Sequence, residues 1–331
     1  MKTLLLGTCN EDLARACGIF RSGGLVAIPT ETVYGLGANA FDKEAALAIF
    51  KAKGRPADNP LIVHIAHKSQ LKDIVSEVNE NACKLMDAFW PGPLTIVMKK
   101  SDRIPYEVSA GLDTVAVRMP SHPVARKLLD MCMLPIAAPS ANTSGKPSPT
   151  RAKHVLDDMD GRIDAIIDGG DCEVGLESTV VDVTDDIPRL LRPGGITYEQ
   201  LCKVLGNVIK NYEFKDGEIP RSPGVKYKHY APTADVMVIR GNFEKYINKI
   251  AEKYAKIGIL CHGKYSFPKN CSVKYMGDNP YEYANTLFAH LRAFDDENVD
   301  VIFAEDIDDK GINLAVNNRL YKAAGYKFKE V

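Results

Sequence analysis

The sequence predicts an α/β protein: a twisted mixed-sheet α/β domain, a linker, and a smaller Rossmann-like α/β domain. Three observations carry this reading. Apolar runs of strand length alternate with stretches of helical periodicity from residue 10 to about 192, the pattern of an α/β core. The alternation dissolves around residues 206–232 into polar, aromatic and proline-bearing sequence, and then starts afresh. Finally, 331 residues are enough for two domains at about 100 to 200 residues each. The expected boundaries are 1–205, 206–232 and 233–331.

In the first domain, Leu13, Ala16, Cys17 and Phe20 recur at helical spacing, with Asn10 as the expected N-cap and Glu11 and Asp12 in the first turn. After Gly23 and Gly24, the run Leu25 to Ile28 is stopped by Pro29 and reads as a buried strand. Asp42 caps a predicted helix through Phe50, and Leu61 to Ile65 follows as a strand. A helix is expected over about 76–89, ending before Pro91-Gly92-Pro93, and then a strand from Leu94 to Met98. Ser148 followed by Pro149 is the pattern of an N-cap for a helix through Leu156. Strands at 115–118, 136–138, 165–167, 178–182 and 189–192 lie so close together that antiparallel pairing must be mixed in. The second domain reads as strand 236–239, helix 243–255, strand 257–260, helix 281–294, strand 299–304 and helix 312–324.

Composition excludes several classes. With 42 Lys plus Arg against 43 Asp plus Glu, the net charge of −1 gives no global basic field for a nucleic-acid coat or an anionic membrane surface. The eight cysteines form no C-x-x-C pair, and several sit among apolar neighbours. Buried free thiols in a reducing compartment are therefore expected, with neither a zinc site nor a disulfide framework. The apolar stretch Leu4 to Leu6 is too short for a signal peptide, and no run approaches a membrane-spanning length, so a cytoplasmic protein is expected.

The chemistry is concentrated in a few loops. Pro29 to Gly37 brings hydroxyls, a carboxylate and two glycines to the carboxyl end of a buried strand, a common place for small ligands. Lys53 and Arg55 follow a helix end, where the dipole alone favours cations; two cations fixed beside a strand end also suit phosphate oxygens. Ser140 and Asn142 lie in a loop of small polar residues with proline and glycine. At its far end, a helix start beside Lys146 would present N–H groups to an anion, and Ser148 can cap that helix as well. Arg118 ends an apolar strand, where an inward-turned guanidinium could hold a carboxylate bidentately. His64 and His67 are three apart on a strand, so their rings point to opposite faces and share no metal ion. Gly35-Leu36-Gly37-Ala38-Asn39-Ala40 fits the letters of a dinucleotide fingerprint, but residues 29–34 separate it from its strand, which argues against a nicotinamide dehydrogenase.

With Lys53-x-Arg55, Ser140-x-Asn142 and the Thr32 loop together, the whole chain closely resembles the threonylcarbamoyl-AMP synthase family, the YrdC/YwlC-like proteins of tRNA modification, in the long form with an extra C-terminal domain. The resemblance implies a YrdC-like first domain and a catalytic tetrad of Lys53, Arg55, Ser140 and Asn142. It implies L-threonine binding by Thr32, His64, Arg118, Ala138 and Ser178. ATP binding falls to Arg55, Asn59, Thr114, Ser140, Ser148 and Arg192, with His229 and Tyr230 from the linker. The implied reaction joins L-threonine, bicarbonate or CO2, and ATP as L-threonylcarbamoyl-AMP, with magnesium accompanying ATP, and releases pyrophosphate. Its product supplies the proteins that transfer threonylcarbamoyl to position 37 of tRNA; direct tRNA contact is left open.

Proline-bounded Ser222 to Pro232 carries Lys226, Tyr227, Lys228, His229 and Tyr230 and reads as a lid over the nucleotide, the rival being an ordinary tether. The rival function is a non-catalytic RNA-binding or ribosome-associated factor, against which the near-zero net charge weighs.

Overall fold

In a computed structural model, residues 2–210 and 229–331 are described. Ser222, Pro223, Lys226, Tyr227 and Lys228 of the expected lid lie outside them. The chain divides into two compact units, residues 2–144 with 149–210, and residues 145–148 with 229–331.

The first unit contains, among the described residues, strands β1 (Leu4–Leu6), β2 (Val26–Ile28), β3 (Gly35–Asn39), β4 (Ile62–His64), β5 (Leu94–Lys99), β6 (Thr114–Arg118), β7 (Ile136–Ala137), β8 (Ala165–Ile167), β9 (Thr179–Asp182), β10 (Arg189–Arg192) and β11 (Ile209–Lys210). They form one mixed sheet in the order β1-β8-β2-β3-β7-β4-β6-β5-β9-β10-β11. Its helices are α1 (Asn10–Arg21), α2 (Lys43–Lys53), α3 (Glu80–Phe89), α4 (Tyr106–Ser109), α5 (Pro123–Cys132), α6 (Ala152–Met159) and α7 (Tyr198–Leu205).

The expected elements form for the expected reasons. In α1 the residues Leu13, Ala16, Cys17 and Phe20 are buried, and a fully buried Phe or Leu contributes roughly 1.5–3 kcal/mol. The N-cap is Cys9, however, and Asn10 is the first helical residue. Asp42 caps α2 by accepting from the Glu44 and Ala45 N–H groups. Gly54, in the left-handed region at φ 61°, ends that helix and so fixes where Lys53 and Arg55 leave it.

Three further expectations need correction. β3 was read as part of a polar loop, yet it pairs antiparallel with β2, Ile28 opposite Gly35. Gly37 permits this, because a Cβ there would lie 2.8 Å from Ile136 and 3.1 Å from the Phe20 ring. The helix expected from Ser148 begins at Ala152, with Arg151 at the N-cap. Its first residues are diverted, since Pro149 O accepts from the Tyr34 N–H and Thr150 O from the Cys172 N–H. Finally, Cys17 and Cys132 are joined as a disulfide, their Cα atoms 5.0 Å apart, where free thiols were expected. Tight packing of α1 on α5 brings them together across 115 residues of sequence.

The second unit contains β12 (Asp235–Arg240), β13 (Ile257–Cys261), β14 (Cys271–Tyr275), β15 (Val301–Glu305) and β16 (Phe328–Glu330), with α8 (Phe243–Ile250), α9 (Pro280–Glu297) and α10 (Asn313–Ala323). The sheet order is β14-β13-β15-β12-β16 and every pairing is parallel, as a Rossmann-like reading requires. Strands β14 and β16, polar and partly exposed, carry little of the apolar signal that marks the inner strands.

Candidate active site

The site begins with the loop between β2 and β3, where Thr30, Glu31 and Thr32 are all buried. Thr30 Oγ1 donates to Val33 O at 2.6 Å, which leaves the Thr32 hydroxyl to donate to Thr30 Oγ1 at 2.9 Å. Thr32 Oγ1 in turn accepts from Arg118 Nη1 at 2.8 Å. The chain Arg118 to Thr32 to Thr30 therefore runs in one direction and fixes each hydroxyl. Tyr34 fastens the far side of the loop, its hydroxyl donating to Gly170 O at 2.8 Å and accepting from the Gly169 N–H at 3.2 Å.

Arg118 faces Glu31, Nη2 to Oε1 at 2.6 Å, with 4% and 3% of the two side chains exposed. Burial pulls the Glu31 carboxyl upward, but the charge and contact of Arg118, helped by backbone N–H groups at Glu31 and Ser121, hold it below its ordinary value. The pair meets charge to charge at ion-pair distance, with Arg118 Nη2 and the Glu31 oxygens out of good hydrogen-bond alignment among the described residues.

Parallel pairing of β4 with β6 sets His64 opposite Arg118. Burial first, and then the Arg118 charge, push the His64 pKa down to about 3. The ring is neutral, and its Nδ1 lies 3.1 Å from Ile62 O. A carbonyl only accepts, so Nδ1 carries the proton and Nε2 is an acceptor.

Antiparallel pairing of β5 with β6 puts Thr95 opposite Arg118 as well. Thr95 Oγ1 and Ser178 Oγ are 2.8 Å apart. Arg192 donates Nη2 to Ser178 Oγ at 3.1 Å, and Nε and Nη2 to Ser178 O at 3.1 and 3.0 Å. Gly194 admits this arrangement, since any side chain there would strike the backbone of residues 177–179.

Three of the four residues expected as a tetrad meet at one ammonium. Lys53, 2% exposed, donates Nζ to Ser140 O at 2.5 Å and to Asn142 O at 2.6 Å. Ser140 bridges to Gly35, and Ala138 donates its N–H to Ile62 O, which docks the loop on β3 and β4. Arg55 donates to Asn59 O at 3.1 Å.

The structure therefore brings together Thr32, His64, Arg118 and Ser178 at neighbouring strand ends, with Ala138, Ser140 and Asn142 on the adjoining loop and Lys53 reaching that loop from the end of α2. Thr114 is not among them. It starts β6, whose other end is Arg118, roughly 13 Å along a four-residue rise, and it lines a separate cavity of about 430 Å³ with Lys100 and Asp113. Ser148, His229 and Tyr230 belong to the second unit. There Tyr230 is buried and its ring stacks on Phe288 at 5.2 Å.

Sequence reasoning missed Glu31 and Thr95 as parts of the site. A carboxylate in the loop and a threonine inside an apolar strand were the available signals, but their partners lie 87 and 83 residues away. Among the described residues, no three His, Cys, Asp or Glu side chains are grouped so as to hold a metal ion, and no helix is long and apolar enough to cross a membrane.

A family model described as telomere recombination matches residues 18–194, and one described as threonylcarbamoyl-AMP synthase, C-terminal domain, matches residues 196–325. The threonylcarbamoyl-AMP synthase of Pyrococcus abyssi is 50% identical over 325 residues, covering 96% of this chain and 95% of its own length. That of Bacillus subtilis is 48% identical over 332 residues, covering 97% and 95%. The crystal structure of P. abyssi Sua5 complexed with L-threonine aligns with a TM-score of 0.93 at 48% identity, over 99% of this chain and 100% of the other.

Proposed function

This chain belongs to the threonylcarbamoyl-AMP synthase family, and we propose that it condenses L-threonine, bicarbonate or CO2, and ATP to L-threonylcarbamoyl-AMP and pyrophosphate. The observation that carries this reading is the buried array of Glu31, Arg118 and Thr32, set beside a neutral His64. In the reaction the threonine amino nitrogen takes up CO2 and loses a proton, giving a carbamate. A carbamate oxygen then attacks the α-phosphorus in line, and pyrophosphate leaves with the electron pair of the broken P–O bond. Such a step needs positioning and charge neutralisation rather than a protein nucleophile.

Arg118 would receive the threonine carboxylate, while His64 Nε2 accepts from a substrate donor and the Ser178–Thr95 hydroxyl pair closes the pocket. Arg55 would meet phosphate. The Lys53 ammonium, spent on two carbonyls, would act mainly by shaping the Ser140–Asn142 loop. Magnesium keeps most of its waters and is commonly held through substrate phosphates with one or two carboxylates. An ion entering on the triphosphate would neutralise charge on the leaving group.

Carbamates lose CO2 readily, and so the reaction would need water kept out; the lid read at Ser222 to Pro232 lies, up to Lys228, outside the described residues. The product would pass in the cytoplasm to proteins that carry threonylcarbamoyl to tRNA; a salt-dependent binding curve with tRNA tests direct contact. The decisive experiment is mass spectrometry of a reaction with L-threonine, 13C-bicarbonate, magnesium and ATP. A labelled threonylcarbamoyl adenylate with stoichiometric pyrophosphate is expected. AMP and pyrophosphate formed without threonine would overturn the reading.

A further inference from the structure

Two carbonyls of the segment that follows Asn142 are held by residues of the second unit, to which residues 145–148 belong. Arg292, on α9 and 9% exposed, donates Nε and Nη2 to Pro147 O at 3.1 and 2.6 Å. The Ala231 N–H donates to Gly145 O at 2.9 Å. Just before Ala231, Tyr230 stands in the left-handed region at φ 64°. Its ring stacks on Phe288 and lies 5.8 Å from the Arg319 guanidinium. Phe288 and Arg292 are four apart on α9 and so lie on one face. From adjacent turns, that face fixes the end of the linker through a ring and Pro147 through a guanidinium.

Burying a guanidinium is costly unless its N–H groups find acceptors, so plain packing would be served better by an aliphatic side chain. What a fork on one carbonyl does is fix a peptide plane. The peptide is planar and trans, so the Pro147 carbonyl and the Ser148 N–H point in opposite directions. With the carbonyl drawn to Arg292, the Ser148 N–H is aimed the other way. The same holds for Gly145 and Lys146 through Ala231.

We propose that Arg292 is a positioning residue for the ATP subsite: by holding the Pro147 carbonyl it sets the backbone and side chain of Ser148 for a nucleotide phosphate or ribose. This rests on the reading of the 140–148 loop as the ATP cradle. Arg292 and the Pro147 carbonyl that it holds both belong to the second unit.

The test is steady-state kinetics of the full chain with Arg292→Ala, Arg292→Lys and Ser148→Ala, alongside melting curves. Arg292→Ala should raise the KM for ATP about tenfold and leave the KM for threonine within about twofold. Arg292→Lys, which keeps a charged donor but loses the two-pronged geometry, should leave most of the rise in the KM for ATP in place. If Arg292→Ala melts early, the lysine variant, with its fold intact, carries the comparison by the same split between the two KM values. A rise in the ATP KM for Ser148→Ala, with none for either Arg292 variant, overturns the positioning role. Equal rises in both KM values for the Arg292 variants overturn it too. No change in the ATP KM for any of the three overturns the ATP reading of the loop and this proposal with it.

Discussion

Replacing Arg118 by methionine strands the carboxylate that the arginine compensates. Glu31 then remains with 3% of its side chain exposed and no opposite charge at 2.6 Å, and Thr32 loses its 2.8 Å donor. Breaking a buried pair from one side costs about 3–5 kcal/mol. At about 2–4 °C per kcal/mol for a unit of this size, the first unit should melt roughly 6–20 °C lower. Differential scanning calorimetry of the full chain at pH 7, with and without L-threonine, measures this.

A second variant separates charge from shape. Glu31→Leu/Arg118→Met replaces the pair by apolar side chains, which is often neutral or stabilising, so it should recover most of the lost stability and yet gain none on adding threonine. The pH dependence has a defined sign. In the parent, Glu31 titrates below its unfolded value, so its contribution is present above about pH 4.5 and is lost as the pH falls through the depressed value. In Arg118→Met, burial alone raises the carboxyl, and its penalty fades on acidification. The gap between parent and single variant should therefore narrow as the pH falls from 7 through the raised carboxyl value, and narrow further below about pH 4.5 as the parent loses its own contribution. An Arg118→Met protein melting within about 2 °C of the parent at pH 7, or a double variant no more stable than the single, would refute the compensation argument.

Lys53→Met should lower both turnover and melting temperature, because a buried ammonium bonded to Ser140 O and Asn142 O braces the loop; unchanged stability would show that the bonds contribute nothing. Arg55→Ala should cut turnover about a hundredfold through lost phosphate contact, with a melting point close to the parent's, and near-parental turnover would remove Arg55 from the site. His64, with its pKa pushed down to about 3, should show no NMR titration between pH 5 and 8. Since its folded value lies below the unfolded one, its penalty on stability should appear only as the pH falls below about 6.5, and an inflection near 6.5 assigned to His64 would contradict its burial. The oxidised chain should titrate six thiols in denaturant and eight of the cysteines after reduction; eight before reduction would refute the Cys17–Cys132 bond.

What was legible in the sequence is what short-range chemistry decides. Asp42 announces α2 because its carboxylate caps N–H groups two and three residues on, and Gly54 ends that helix through its own backbone freedom. Ser148 was misread by the same logic. Serine before proline is a good local cap, but Pro149 and Thr150 give their carbonyls to Tyr34 and Cys172, and bonds spanning the fold outweigh a cap contributing about 1 kcal/mol. The polar strand β14 and the glycine-bearing β3 were obscure for a related reason, since their pairing is decided by neighbours rather than by their own apolar pattern.

Lys53 shows the limit most clearly. Position after a helix and proximity to Arg55 marked it as part of the site, and both also suggested a cation facing phosphate. In the fold it is buried at the end of α2, and a buried ammonium must spend its donors on the nearest acceptors. Those acceptors are backbone carbonyls of Ser140 and Asn142, 87 and 89 residues away. Carbonyl direction depends on peptide orientation rather than on residue identity, so no pattern of side chains could have announced this bracing. A motif can mark the residues on which a site depends, while the direction in which each one donates is decided by the chain that closes over it.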